Sequence, residues 1–374
     1  MNRLCISFFG CTNAGKSSLV NALTAQQVSV VSEIAGTTTD PVFKMMEFLP
    51  LGPVAVYDTP GIDDESVLGK KRVERTWEIL LKTDIAVFVT EHDEINLTER
   101  KFLDQILNLG IPYVLAKNKC AELDAVSGVG IESLKEKIIA EYKKSIAQKN
   151  KKPLLNDLLK AGEIAVFVTP IDESAPKDRM ILPQVQSIRD VLEADASCVV
   201  TKETELKKVL SALKDKPSLV VTDSQAFEEV SKIVPLDVRL TSFSILMARF
   251  KGYLKPSLAG IEKIKNLKNN DRILIAEGCS HHRQCGDIGS VKIPKWLKEM
   301  TGKNFAIDFA SGESFPKNLD GYSLVIHCGG CMLSERQIMH RLKFSQSCNV
   351  PFVNYGVLIA YRFGILERAS SFLV

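Results

Sequence analysis

The stretch GCTNAGKS, Gly10–Ser17, limits the fold more than any other part of this chain of 374 residues. It matches G-x-x-x-x-G-K-[ST] and lies between an apolar run, Leu4–Phe9, and a segment of helical pattern, Gly15–Leu23. In that setting glycines let backbone N–H groups curl round phosphates at a helix N-terminus. Lys16 would neutralise the β- and γ-phosphates, and the Ser17 hydroxyl would reach Mg2+. A strand, a glycine-rich turn and a helix in this order open a parallel α/β sheet.

The rest of the chain keeps to that alternation. Strands are expected at Phe43–Leu49, Val54–Tyr57, Ile85–Thr90 and Pro112–Lys117, with helices through Trp77, at Leu97–Leu109 and at Ile131–Lys144. The charged run KKSIAQKNKK, Lys143–Lys152, reads as a first linker and IEKIKNLKNNDR, Ile261–Arg272, as a second boundary. Between them IAVFVTP, CVVTK, PSLVVTD and VRLTSFS are strand-like, separated by helical segments such as Leu182–Leu192 and Glu203–Leu213; RILIAEGC, FAIDFASG, SLVIHCGGC and PFVNYG follow. The expected fold class is α/β with three domains, over 1–150, 151–262 and 263–374: a phosphate-loop nucleotide-binding fold, then two smaller units with mainly parallel sheets.

Two further motifs follow the loop in order. GTTTD, Gly36–Asp40, supplies a threonine to close over Mg2+, and DTPG, Asp58–Gly61, ends a strand with an aspartate that binds the ion through water and a glycine N–H for the γ-phosphate. Such a set senses the third phosphate. With NAGKSS, Asn13–Ser18, and AGTT, Ala35–Thr38, the first 145 residues resemble the GTPases of the TrmE and Era kind. The resemblance implies a P-loop GTPase fold that binds GTP and Mg2+ through Gly10, Asn13, Ala14, Gly15, Lys16, Ser17, Ser18, Thr37, Thr38, Asp58, Gly61, Asn118 and Lys119. Lys16, Thr38, Asp58 and Gly61 would manage the chemistry, Ser17 and Thr38 would hold Mg2+, and Asn13 would help to hold K+. Ile62 stands where Ras-like proteins carry the water-positioning glutamine, so hydrolysis is expected to be slow and stimulated by K+. The base-reading Asn-Lys-x-Asp of such GTPases is NKCA here, Asn118–Ala121, with Glu122 and Asp124 as the nearest carboxylates, and the following loop VSGVG is short.

Nine cysteines in a chain expected to be cytoplasmic point to metal binding or catalysis for any clustered subset. AEGCSHH puts Cys279 and His281 just past one expected strand, and IHCGGC puts His327, Cys328 and Cys331 just past another. Neighbouring strand ends of a parallel sheet share a crevice, so the two groups can meet. Buried packing residues, a redox pair, a tetrahedral zinc site and an iron-sulfur cluster on three cysteines are all compatible with that spacing. Cys5, Cys11, Cys120 and Cys198 read as packing residues; Cys285 is a further donor nearby.

Cys-x-His followed downstream by His-Cys-x-x-Cys, behind a phosphate-loop domain, resembles the FeFe-hydrogenase maturation GTPase (HydF) family along the whole chain. VTPIDESAPKDRMILPQVQSIRDVL and NYGVLIAY share the likeness. That resemblance implies a 4Fe-4S cluster on Cys279, Cys328 and Cys331, with His281 and His327 as ligands or neighbours of ligands. It implies a homodimer through the middle domain, and a scaffold that receives a transient di-iron precursor from radical-SAM maturases and delivers it to apo FeFe-hydrogenase. The net charge of +3, without interleaved basic and aromatic residues, argues against nucleic acid as a partner, and no apolar run is long enough for a membrane span. The alternative is an RNA-modifying or ribosome-assembly GTPase with a structural zinc module.

Overall fold

The computed structural model describes residues 4–24, 42–63, 67–148, 153–171, 180–279, 287–312 and 314–374. They fall into two compact units, Met1–Lys151 and Lys152–Val374.

The first unit is built on β1 (Leu4–Phe9), β2 (Val42–Phe48), β3 (Gly52–Asp58), β4 (Ile85–Thr90) and β5 (Tyr113–Lys117), in the sheet order β2-β3-β1-β4-β5. All pairs are parallel except β2 with β3. The six residues of β1 and of β4 are all buried, because helices cover both faces of the central strands, and the polar Ser7 among them is answered by the Thr83 hydroxyl at 2.8 Å. Alternation along β1 sends Ile6 and Phe8 to one core, with Leu19, Leu134 and Ile138, and Phe9 to the other, with Ile79, Phe88 and Phe102. The edge strand β2 exposes Phe43 and Met45, as a strand with one covered face does. The helix Leu97–Asn108 starts on a capping box, Asn96 with Glu99. The charged run read as a linker is partly helical: the helix from Ile131 runs to Gln148, with Ile139 and Tyr142 turned toward the core.

The second unit carries two four-stranded sheets whose neighbours are all parallel. One has the order β7-β6-β8-β9, from β6 (Ile164–Val168), β7 (Ser197–Thr201), β8 (Leu219–Thr222) and β9 (Arg239–Ser242). The other has the order β11-β10-β12-β13, from β10 (Arg272–Ala276), β11 (Ala306–Ala310), β12 (Tyr322–His327) and β13 (Phe352–Asn354). These are the strands expected for two smaller α/β units, and one continuous core joins them. The helix Phe243–Phe250 contributes Phe243, Ile245, Leu246 and Met247 to that core, beside Ile273 and Ile275 of β10 and Val353 of β13. Ile261–Arg272, read as a boundary, sends Ile261, Ile264 and Leu267 into the same core. Its lysines and asparagines mark an exposed side, and its apolar residues pack.

In the second of these sheets the order reverses at β10. Its two neighbours, β11 and β12, follow it in sequence, and Ala276 at its end pairs with His327 at the end of β12. The loops that leave these two ends open on one crevice, where ligands of open parallel sheets bind.

Candidate functional site

At the C-terminal end of β1 the chain turns through Gly10–Gly15 into the helix Lys16–Thr24. Lys16 is buried, and its ammonium donates to the Gly10 and Cys11 carbonyls at 3.0 and 2.7 Å. Burial pulls its pKa below the usual lysine value, against the opposing pull of Asp58 and Asp63. The Ser17 hydroxyl donates to Asp58 Oδ2 at 2.6 Å, so the two expected Mg2+-side groups already meet. Gly61 lies so close to the loop that a Cβ there would stand 2.2 Å from Thr12 Oγ1. Two residues on, Asp63 accepts from Thr12 N–H at 2.7 Å and from its hydroxyl at 2.8 Å. Spacing gave no signal for that contact.

Asn118, at the end of β5, is buried against the loop, with Nδ2 donating to Ala14 O at 3.1 Å and Oδ1 accepting from Ala125 N–H at 3.2 Å. Gly15 has to be glycine: its φ is +84°, and a Cβ would meet Asn118 Nδ2 at 2.1 Å. Lys119 lays its ammonium on the Asn13 carbonyl at 2.8 Å and Glu91 at 2.9 Å, and Asn13 itself takes the left-handed conformation that asparagine tolerates. Gly10, Asn13, Ala14, Gly15, Lys16, Ser17, Ser18, Asp58, Gly61, Asn118 and Lys119 therefore gather at one end of this sheet. Thr37 and Thr38 lie outside the described residues.

Asp124 is a poor stand-in for the carboxylate missing at Ala121. Its oxygens accept from Val126 N–H at 3.1 Å, Ser127 N–H at 3.3 Å and the Ser127 hydroxyl at 2.8 Å, which also hold its carboxyl below the usual range. The turn uses it. Ala121→Asp is therefore expected to tighten GTP about tenfold, the worth of a restored charged hydrogen bond, and to tighten ITP, which lacks the 2-amino group, less. Competition binding checks this; no gain for GTP, or an equal gain for the two nucleotides, contradicts it.

The second constellation sits at the ends of β10 and β12. Cys328 Sγ accepts backbone N–H groups from Gly278 at 3.0 Å and Gly330 at 3.3 Å, so the Cys279 loop and the Cys-Gly-Gly-Cys loop are tied through one sulfur. Burial pushes the Cys328 thiol up to about 11, against those two N–H groups. It pushes Cys279 up to about 12, with the neighbouring Cys328 and Cys331 adding to the rise, and raises Cys331 against the pull of Lys251. Among the described residues no three His, Cys, Asp or Glu side chains make a preformed metal-binding group. Three neighbouring, half-buried thiols nonetheless have the donor chemistry of a thiophilic metal or cluster, whose own positive charge would stabilise the thiolates. Gly330 (φ +61°) permits the tight loop, since a Cβ there would meet Ile338 Cδ1 at 2.3 Å.

His327 is fully buried and has both ring nitrogens in use. Arg341 donates to Nε2 at 3.0 Å, which makes Nδ1–H the donor to Cys328 O at 2.8 Å. Burial first, then the Arg341 charge, lowers its pKa to about 3, and the ring stacks on Phe352 at 5.4 Å. Of the two roles expected for this histidine, the geometry favours bracing the ligand loop. His281 and Cys285 lie outside the described residues. Beside Cys279, the Tyr355 hydroxyl donates to the buried Glu277 at 3.3 Å. Arg341, Tyr253 and Lys251, which touch this loop from other elements, left no mark in the spacing of the motifs.

A phosphate loop at the end of β1, joined to Asp58 through Ser17 and to Asn118 through Ala14, defines the class as a P-loop GTPase, here followed by a two-sheet unit with a cysteine crevice. Residues 5–119 match the 50S ribosome-binding GTPase family, residues 154–252 the hydrogen maturase F dimerization domain and residues 255–372 the hydrogen maturase F tetramerization domain. The chain belongs to the hydrogen maturase F family. Curated relatives of the GTPase part include the tRNA modification GTPase MnmE of Zymomonas mobilis, 31% identical over 150 residues, which are 39% of this chain and 34% of that protein. MnmE of Aquifex aeolicus is 33% identical over 150 residues, 36% of this chain and 33% of its own length. The chain thus spans about a third of the length of these relatives. A structure of Aquifex aeolicus Era bound to GDP and aluminium fluoride aligns with 85% of this chain and 95% of its own at 16% identity, with a TM-score of 0.29. No helix among the described residues is long and apolar enough to cross a membrane.

Proposed function

We propose that this chain is a GTP-hydrolysing scaffold and carrier of FeFe-hydrogenase maturation, and that it holds a 4Fe-4S cluster on Cys279, Cys328 and Cys331. The observation that carries the reading is the meeting of the two cysteine loops at the β10–β12 crevice, within a region that matches the maturase family rather than the tRNA-modifying GTPases. The donor set fits: three half-buried thiols, two backbone N–H groups on one sulfur, and a histidine committed to bracing. When bound, the cluster supplies an iron with one non-cysteine position. The chain's own residues orient the thiols, exclude water and keep His327 neutral. The cargo is a di-iron precursor received from radical-SAM maturases and passed to apo FeFe-hydrogenase.

On this reading residues 1–150 are the GTPase module, 151–262 the homodimerisation module and 263–374 the cluster module of a cytoplasmic protein. Lys16, Thr38, Asp58 and Gly61 manage GTP, Ser17 and Thr38 hold Mg2+, and Asn13 helps to place K+. GTP turnover biases partner binding and leaves cluster chemistry to the cysteines. The test is activation of apo-hydrogenase in a defined mixture with the maturases. The chain loaded with cargo should activate it and the chain without cargo should not; equal activation in both arms rejects the carrier role. Turnover measured in KCl and in NaCl checks the monovalent ion: faster hydrolysis with K+ is expected, and equal rates remove K+ from the site.

A further inference from the structure

Lys251 closes the C-terminus of the helix Phe243–Phe250 and is buried, which is unusual for a lysine. Its ammonium donates to Leu333 O at 2.6 Å and, by a shorter contact, to Gly330 O, 79 residues away in sequence. Those two carbonyls flank Cys331. From the same end of the helix the Tyr253 hydroxyl donates to Cys328 O at 3.1 Å, and Asn354 Nδ2 donates to that hydroxyl at 3.1 Å. Gly329 lies against Ser244 and Met247 of the helix, where a Cβ would meet Ser244 Oγ at 3.4 Å. The loop that carries two of the three thiols is thus clasped by Ser244, Met247 and Lys251, at the end of the dimerization-domain match, and by Tyr253 just past it.

A buried ammonium is costly unless its charge is answered. The hydrogen-bond partners of Lys251 at this loop are two neutral carbonyls, which take two of its three N–H groups and cancel none of its charge; the acidic groups near it are Cys331, Cys328 and Glu335. A 4Fe-4S core of charge 2+ on three thiolates carries one net negative charge, and one electron makes it two. We propose that Lys251 is a positioning and charge-compensating residue of the cysteine site: it fixes the Cys328–Leu333 loop for ligation and favours the reduced, more anionic form of whatever cluster binds there. The inference rests on the cluster reading above.

The test compares full-length wild type with Lys251→Met, which keeps the length of the side chain and removes charge and donors, and with Lys251→Arg. In protein without metal, amide hydrogen exchange at Gly330–Leu333 is expected to quicken about tenfold or more in the methionine variant and to stay near wild type in the arginine variant. In protein reconstituted with iron and sulfide, dithionite titration followed by EPR should place the one-electron potential of the methionine variant below that of wild type, with the arginine variant close to wild type. If the methionine protein does not fold, Lys251→Gln carries the same potential measurement. Wild-type values of either readout in the variant that lacks the charge overturn the proposal. A wild-type chain that takes up no cluster instead refutes the reading beneath it, and the exchange measurement still decides whether Lys251 fixes the loop.

Discussion

Lys16→Ala is expected to lower kcat/KM for GTP by about 10²–10³-fold, the usual loss when one preorganised cationic or hydrogen-bonding contact to a developing charge is removed. The ammonium is buried and rests on the Gly10 and Cys11 carbonyls, so it waits within the loop and needs no long excursion to meet phosphate. Alanine also removes a desolvated charge from a nucleotide-free site, so the variant should melt no earlier than wild type. Steady-state hydrolysis and a melting curve check both parts; wild-type turnover would show that phosphate chemistry does not pass through this loop. The same protein answers a second question. If it still activates hydrogenase normally when loaded with cargo, turnover is dispensable for delivery.

Cys328→Ser should reduce iron and sulfide retained after anaerobic reconstitution by about tenfold or more, since even groups that merely orient a ligand change metal affinity 10–100-fold. Cys328 is the sulfur on which both loops converge, through the N–H groups of Gly278 and Gly330. An alkoxyl oxygen is harder and far less acidic than a thiol, so it keeps the hydrogen bonds and loses the ligand. Cys348→Ser is the control: Cys348 caps the helix Glu335–Ser347 and packs against the core, and retention should not change. Equal iron in Cys328→Ser and wild type would remove the crevice as the cluster site.

The order of strands and helices was legible because apolar runs such as LCISFF and IAVFVT are long, unbroken and ended by motif residues. Where charge masked periodicity the reading ended elements too early, as at Lys144, four residues short of the helix end at Gln148. At Ile261–Arg272 the lysines and asparagines that suggested a boundary hid the three apolar residues that enter the core there. The phosphate loop could be placed because its motif is contiguous, although the Asp63 that grips Thr12 comes from 51 residues away. The base site could not: only the structure shows Asp124 committed to its own turn. At the cysteine crevice the thiols announced themselves and their supports did not. Arg341 reaches His327 and Lys251 reaches Gly330 from other elements, and a motif records neither.

The most direct measurement is elemental analysis with EPR on protein purified without oxygen. The account predicts a brown protein with about four irons and four sulfides per chain, the content of one 4Fe-4S cluster, which gives a reduced-cluster EPR signal on treatment with dithionite. A colourless protein with about one zinc per chain, as in a closed four-ligand site, and no EPR signal would contradict it.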